Sequence, residues 1–315
     1  MMKRMMIRNR LRRMTALTLA MLLLTGVMPG LAEESEGVDY AVPEYVPVTL
    51  EAESVDPIPL TEDTPYAPHE DAYLEDDSGY LDPSLSVRIE TMRAYETEIM
   101  LVWVQIADAS QLRTATYRKY PAKSTARADV IAKREKAVLA INGDFFLNRS
   151  VGYIVRNGEL LRDKVNKDYD LLIIDDEGDM HIIPTPTKEK LAAYTGTVAQ
   201  TFSFGPGLII DGEKCSEWGD AICAPNKRTQ RIALCQMDHL SYLIVATEGP
   251  ENRGSQGLKL TEFIDLLYAL GVQQAYNMDG GSSTWVVLGG EKINANSGIR
   301  YIGDILYFVT AVPEE

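Results

Sequence analysis

The chain has 315 residues, of which 45% are hydrophobic, and a formal net charge of −15. That supply of apolar residues can build a sizeable core, and an acidic chain with no basic stripe argues against a nucleic-acid partner, whose phosphates must be neutralised. Cysteine is sparse, at Cys215, Cys223 and Cys235 with no C-x-x-C pair, which argues against a thiolate metal centre.

The first elements in chain order are not folded ones. MMKRMMIRNRLRRMT carries Lys3, Arg4, Arg8, Arg10, Arg12 and Arg13 and no acid, and ALTLAMLLLTGVM follows as an apolar run. Gly30 and Ala32 then stand at the −3 and −1 positions before Glu33. This pattern is a secretory signal peptide over residues 1–32, with an apolar run shorter than the roughly 20 residues of a membrane span. No later stretch is apolar enough to cross a membrane, so the expected location is extracellular or cell-surface. Residues 33–84 read as an acidic, proline-rich disordered linker: fifteen Asp and Glu and no Lys or Arg lie between Glu33 and Tyr80, with prolines at 43, 47, 57, 59, 65 and 68. With the six positive charges of the start and these fifteen acids set aside, residues 81–315 carry only −6.

Residues 85–315 suit one domain. SVRIETMRAYETEIMLVWVQIAD reads as two long strands joined around Tyr95, and VGYIVRNGELLR as a hairpin through Asn157-Gly158. YDLLIIDDEGDMHIIP repeats the theme with a turn at Asp176–Asp179, and QRIALCQMDHLSYLIVATEG turns near Asp238-His239. Helices are few. STARADVIAKREKA, with Ser124 as its expected N-cap, leads into the strand AVLAIN; LTEFIDLLYALGV carries an apolar face through Phe263, Ile264, Leu266, Leu267 and Leu270 and ends at Gly271, with Thr261 as its expected cap. RYIGDILYFVTAV closes the domain as a buried strand. The expected fold is α+β, a single domain on a mixed, largely antiparallel sheet with several hairpins and a few packed helices.

Polar, glycine-containing turns follow several of these strands, and such turns are where sites usually sit. In YNMDGGSSTW, Asn277 and Asp279 share one face of an extended chain; buried in a core without partners they would cost several kcal/mol, so a cleft is the better reading. Gly280 and Gly281 turn the chain, and Ser282 and Ser283 add hydroxyls beside them. AINGDFF offers Asn142 and Asp144 on one face around Gly143. Arg231 follows the basic NKRTQ and has the planar fork that suits phosphate or carboxylate. The three histidines, His69, His181 and His239, fall in no ligand or triad pattern, and G-x-S-x-G is absent. Carboxylate chemistry remains, with Asp144, Glu248 and Asp279 as candidate acid, base or nucleophile, no cofactor and no metal.

Taken together in this order and spacing, AINGDFF, FGPGLIIDG, QRIALC, TEG before a helix, and YNMDGGSST resemble the phosphodiester glycosidase domain, the family of N-acetylglucosamine-1-phosphodiester α-N-acetylglucosaminidase and of many secreted bacterial proteins. The resemblance spans roughly residues 85–312 and implies cleavage between a sugar's anomeric carbon and a phosphodiester. It places substrate-binding positions at Asn142, Gly143, Gly205, Arg231, Asn277, Gly280, Gly281, Ser282 and Ser283, with Arg300 as a second anion contact. The chain departs from it at Leu234 and Asp144, where relatives carry glycine, which makes Asp279 the firmer catalytic candidate. The expected substrate is a sugar-phosphodiester in cell-surface glycan or exopolysaccharide. A non-catalytic carbohydrate-binding or cell-envelope module on the same fold is the alternative, and a serine hydrolase using Ser282 or Ser283 a third.

Overall fold

The computed structural model describes residues 40–50, 55–75, 78–218, 223–252, 254–295 and 299–313, so the expected signal peptide lies outside the described residues. Every strand pairing in them is antiparallel. The expectation of a largely antiparallel α+β domain holds, but the strands divide among sheets that pack together.

The larger sheet has eight strands. Its middle runs Leu85–Ala94, Thr97–Ile106, Ser241–Thr247, Ile232–Asp238, Gln274–Asn277 and Gly207–Ile210, with short strands at either edge. The second sheet orders Glu291–Lys292, Val286–Leu288, Leu139–Asn142, Asp304–Phe308 and Leu112–Thr116. A three-stranded sheet (Val198–Ser203, Leu171–Asp175, Met180–Ile183) and the hairpin Gly152–Arg156/Glu159–Lys164 complete the set.

Side-chain alternation explains the layering. Ile232 and Leu234 face a central core shared with Leu139, Ile141, Leu306 and Phe308, whereas Ala233 and Cys235 point outward, where Phe263, Ile264, Leu266 and Leu267 of the helix Leu260–Ala269 cover them. On the second sheet Ala140, Ile305 and Tyr307 turn outward to Ala128, Ile131 and Ala132 of the helix Ala128–Arg134. Each fully buried Leu, Ile or Phe contributes about 1.5–3 kcal/mol, so these two-sided strands carry much of the stability. The hairpin turns fall at the expected places: Tyr95 and Glu96, and Asn157 and Gly158, all have positive φ. The helix starts differ from expectation. The first helix begins at Ala128 rather than after Ser124, and Glu262 Oε2, not Thr261, caps the second by accepting the Lys259 N–H.

The acidic stretch also departs from the expected free linker. Its described residues lie along the domain: Tyr45 stacks on Trp103 with ring centroids 5.7 Å apart, and Ile58 is buried with its N–H on the Ser110 hydroxyl. Arg113, buried to 1% exposure, donates to the carbonyls of Ile58, Pro59, Leu60 and Glu62. Lys136 holds the carbonyls of Thr64 and Pro65. The acids among the described residues of 40–75 are exposed while the backbone at 58–65 is held by cations, which is how so charged a stretch can lie on the domain. Hydrogen bonds to a charged group are worth about 1.5–3 kcal/mol; Arg113→Ala is therefore expected to lower stability by about 3 kcal/mol and to open residues 55–65 to limited proteolysis. An unchanged urea midpoint with the segment still protected would contradict this.

Candidate active site

The strand Leu139–Asn142 ends at an amide with three backbone partners. Asn142 Nδ2 donates to the carbonyls of Asp279 (2.8 Å) and Gly143 (3.1 Å), and its Oδ1 accepts the Trp285 N–H at 3.0 Å. Asn142 thus staples the 279–285 loop to the second sheet. Asn277 works likewise from the larger sheet, its Nδ2 on the Gly205 carbonyl at 2.9 Å. Both were expected to face substrate; in the structure each donates its amide N–H to the scaffold, because a buried amide must be paired, and Asn277 lines the cleft as well.

Between them the loop turns tightly. A Cβ on Gly280 would stand 2.7 Å from the Gln230 carbonyl oxygen, and Gly281 has φ +60 and donates its N–H to the same oxygen. This geometry aims Asp279 into a cleft of about 190 Å³ lined by Phe204, Lys227, Thr229, Asn277, Asp279 and Gly281. Burial pushes the Asp279 carboxyl above its ordinary pKa, while the Ser283 hydroxyl and the guanidinium groups of Arg300 and Arg149 pull it back. Ser283 is buried and Ser282 exposed.

Arg231, expected as an anion fork, lines this cleft too, but with its N–H groups turned to the scaffold. It is 3% exposed, and its Nε donates to Leu258, Nη1 to Cys223, and Nη2 to Ala224 and Lys227, all backbone carbonyls. It fastens the loop that walls the cleft. The cations near Asp279 are instead Arg300, exposed and 5.2 Å from the Phe145 ring centroid, and Arg149, over Tyr169 at 4.4 Å and Phe204 at 4.7 Å with one N–H on the Ser203 carbonyl. Arg149 was missed in the sequence, although it stands just past AINGDFF.

Two candidate carboxylates lie away from the cleft. Glu248 is buried and accepts the Ala295 N–H on Oε1. Asp144 is fully buried; its Oδ1 accepts from Arg156 Nη2 at 2.8 Å and its Oδ2 from the Ser203 N–H at 2.7 Å. The same Arg156 Nη2 donates at 2.9 Å to Asp304, whose carboxyl is pushed up to about 7, chiefly by burial. Asp304 was also missed, though a lone acid within the apolar closing strand was a usable signal. Neither Asp144 nor Glu248 lines the cleft, which leaves Asp279 as its one carboxylate among the described residues. Among those residues no three His, Cys, Asp or Glu side chains are arranged to hold a metal ion. Cys215, Cys223 and Cys235 are free thiols. No helix of the described residues is long and apolar enough to cross a membrane.

A family model described as phosphodiester glycosidase matches residues 135–309. The chain is similar to the SPbeta prophage-derived uncharacterized protein YomE of Bacillus subtilis (strain 168), at 24% identity over 173 residues, 52% of this chain and 26% of that protein; the chain thus spans about a quarter of that relative's length. Among solved structures, the catalytic domain of zebrafish N-acetylglucosamine-1-phosphodiester alpha-N-acetylglucosaminidase, auto-inhibited by its pro-peptide, matches with a TM-score of 0.60 and 17% identity over 79% of this chain and 88% of that one. A hypothetical protein from Synechocystis matches with a TM-score of 0.57 and 16% identity over 72% and 62%. At such identities these two likenesses show the fold.

Gly143 tests the packing behind the site. A Cβ there would stand 2.2 Å from Asp304 Oδ2, so no side chain fits without moving a buried carboxylate. Overpacking of this kind costs about 1–3 kcal/mol. Gly143→Ala is expected to lower the melting temperature by several degrees, and an unshifted melt would show that Asp304 moves freely.

Proposed function

The chain belongs to the phosphodiester glycosidase family, and on that premise we propose that it is a secreted hydrolase cleaving the bond between a sugar's anomeric carbon and a phosphodiester, in cell-surface or exopolysaccharide material. The observation that carries this reading is the cleft carboxylate Asp279 beside Phe204, a lining residue whose ring lies under Arg149 at 4.7 Å, with Arg149 and Arg300 both over the ring of Phe145. An anionic substrate needs cations, and the anomeric carbon needs a base or nucleophile beside them. Phe145, Tyr169 and Phe204 under the guanidinium groups supply flat apolar walls of the kind a sugar ring packs against.

The chemistry follows from the leaving group. A phosphate oxygen departs with the bonding electron pair and is stabilised as an anion by Arg149 and Arg300, so the reaction does not depend on a second carboxyl to protonate it. Asp279 then serves in one of two ways: it removes the proton of a water attacking the anomeric carbon, or it attacks that carbon itself and the glycosyl ester is hydrolysed by water. Either way the products are a reducing sugar and a phosphate monoester. The basic, apolar start of the chain supports export, and the acidic stretch beyond it keeps a water-exposed charged surface.

The test uses the purified chain and its variants on a panel of sugar-1-phosphodiesters, UDP-sugars among them, with free reducing sugar as the readout. Asp279→Asn is expected to lower kcat by about 10²–10⁴-fold, the usual worth of a positioned base, and to leave affinity nearly unchanged. A wild type that binds sugar phosphates in the cleft and releases nothing would instead favour the non-catalytic binding module. Arg149→Ala is expected to raise KM for every anionic member of the panel, by about tenfold for one lost charged contact. A variant with wild-type KM would remove Arg149 from the phosphate site.

Asp279 must be ionised to act, and its carboxyl is raised above 3.8. The acid limb of kcat/KM is therefore expected above the pH of a free aspartate, falling off as pH drops. A limb no higher than that of a free aspartate would show that Asp279 is not the group that titrates there.

A further inference from the structure

Behind Asp279 lie two more carboxylates and one cation. Arg156 reaches in from the Gly152–Arg156 strand, its guanidinium carbon 4.6 Å from both the Phe146 and the Phe202 ring centroids. Its Nη1 donates to the carbonyls of Val155 and Thr201, which leaves Nη2 for Asp144 and Asp304 together. One positive charge cannot balance two negative ones in a site closed to water.

Hydrogen bonding tells the two acids apart. Asp144 accepts the N–H groups of Phe146 and Ser203 besides Arg156, so three donors meet its oxygens. Asp304 accepts from Arg156 alone among the described residues and is 1% exposed. The pair balances when Asp144 is the anion and Asp304 carries a proton. The charged groups that face Asp304 are Arg156 on the hairpin, Asp144 on the turn after Leu139–Asn142, and Asp279 on its own loop.

Asp304 also touches the support of the site. Its carboxyl rests on Gly143, whose N–H donates to the Asp304 carbonyl at 2.9 Å, and Asn142, paired with Ile305, holds the Asp279 carbonyl. We propose that Asp304 is a positioning residue for the reaction at Asp279, acting in its uncharged form through Gly143 and Arg156. When it ionises, an unbalanced anion is created behind a cleft that must receive another anion, and the seat under Asn142 is pushed apart. Substrate capture falls as a result. This rests on the sugar-phosphodiester reading of the cleft.

The experiment compares the full chain with Asp304→Asn, which keeps the shape and cannot ionise. Two readouts run from pH 5 to 9: kcat and KM on a sugar-1-phosphodiester, and the affinity for inorganic phosphate by calorimetry. In the wild type, kcat/KM is expected to fall about fivefold from pH 7 to 8, as for one group half ionised near pH 7, and its phosphate affinity to fall by the same factor relative to that of Asp304→Asn, which cancels the ionisation of phosphate itself, whereas kcat/KM of Asp304→Asn stays flat over that range. Equal slopes in the two proteins, or no slope in the wild type, overturn the proposal. If the wild type releases no sugar from any substrate, the glycosidase reading fails while the phosphate arm still decides the role of Asp304 by the same comparison. Should Asp304→Asn fail to fold, carboxyl carbon NMR of the wild type decides: an Asp304 signal ionised throughout pH 5–8 overturns the proposal, and one that titrates near neutrality supports it.

Discussion

The site depends on one buried amide. Asn142 joins the end of a sheet strand to the loop that carries Asp279, and it does so with both ends of its side chain. A backbone donor or acceptor left unpaired in such a place costs about 1–3 kcal/mol, so the strand end and the loop are held in one arrangement. Trp285, seated by the same amide, is wholly buried and anchors the far side of the loop. The position of the Asp279 carboxylate is therefore set by the packing of two sheets rather than by the loop's own preferences, the condition for a preorganised site.

Arginine performs a second scaffold task in this molecule. Arg113, Arg156 and Arg231 are all nearly buried, and each spends N–H groups on backbone carbonyls. A guanidinium has five donors in a rigid fork and can satisfy several carbonyls of an irregular segment at once. Segments with no regular hydrogen-bond ladder, such as residues 58–62 and the loop from Cys223 to Lys227, are ordered in this way. Arg149 and Arg300 lie over aromatic rings, and Arg149 too donates to a backbone carbonyl, that of Ser203.

What the sequence showed follows the range of each interaction. The hairpins at Tyr95 and at Asn157-Gly158 were legible because turn chemistry is local. The division into packed sheets was not, since strands buried on both faces, such as IALCQ, lose the alternation that would reveal which side meets which layer. The polar turns that build the site were found, with Asp279 among them. The backbone partners of Asn142, Asn277 and Arg231 were not legible, because residue type says what a side chain can bond and not whether a carbonyl of its own chain arrives first. Asp304 needed a partner, Arg156, nearly 150 positions away. The acidic stretch was read from its charge and prolines, which do not reveal the few apolar and backbone contacts that lay it along the domain.

The order of strands in the second sheet has a consequence for how the chain acquires its shape. The strand Asp304–Phe308 sits between Leu112–Thr116 and Leu139–Asn142 and pairs with both. Until that late segment arrives, its two neighbours have open edges and the outward face beneath the helix Ala128–Arg134 is half built. Pairings so distant along the chain close slowly. A polypeptide emerging from its amino end therefore keeps these edges open until residues 304–308 are made, and the acid that shares Arg156 comes in with the segment that completes the sheet.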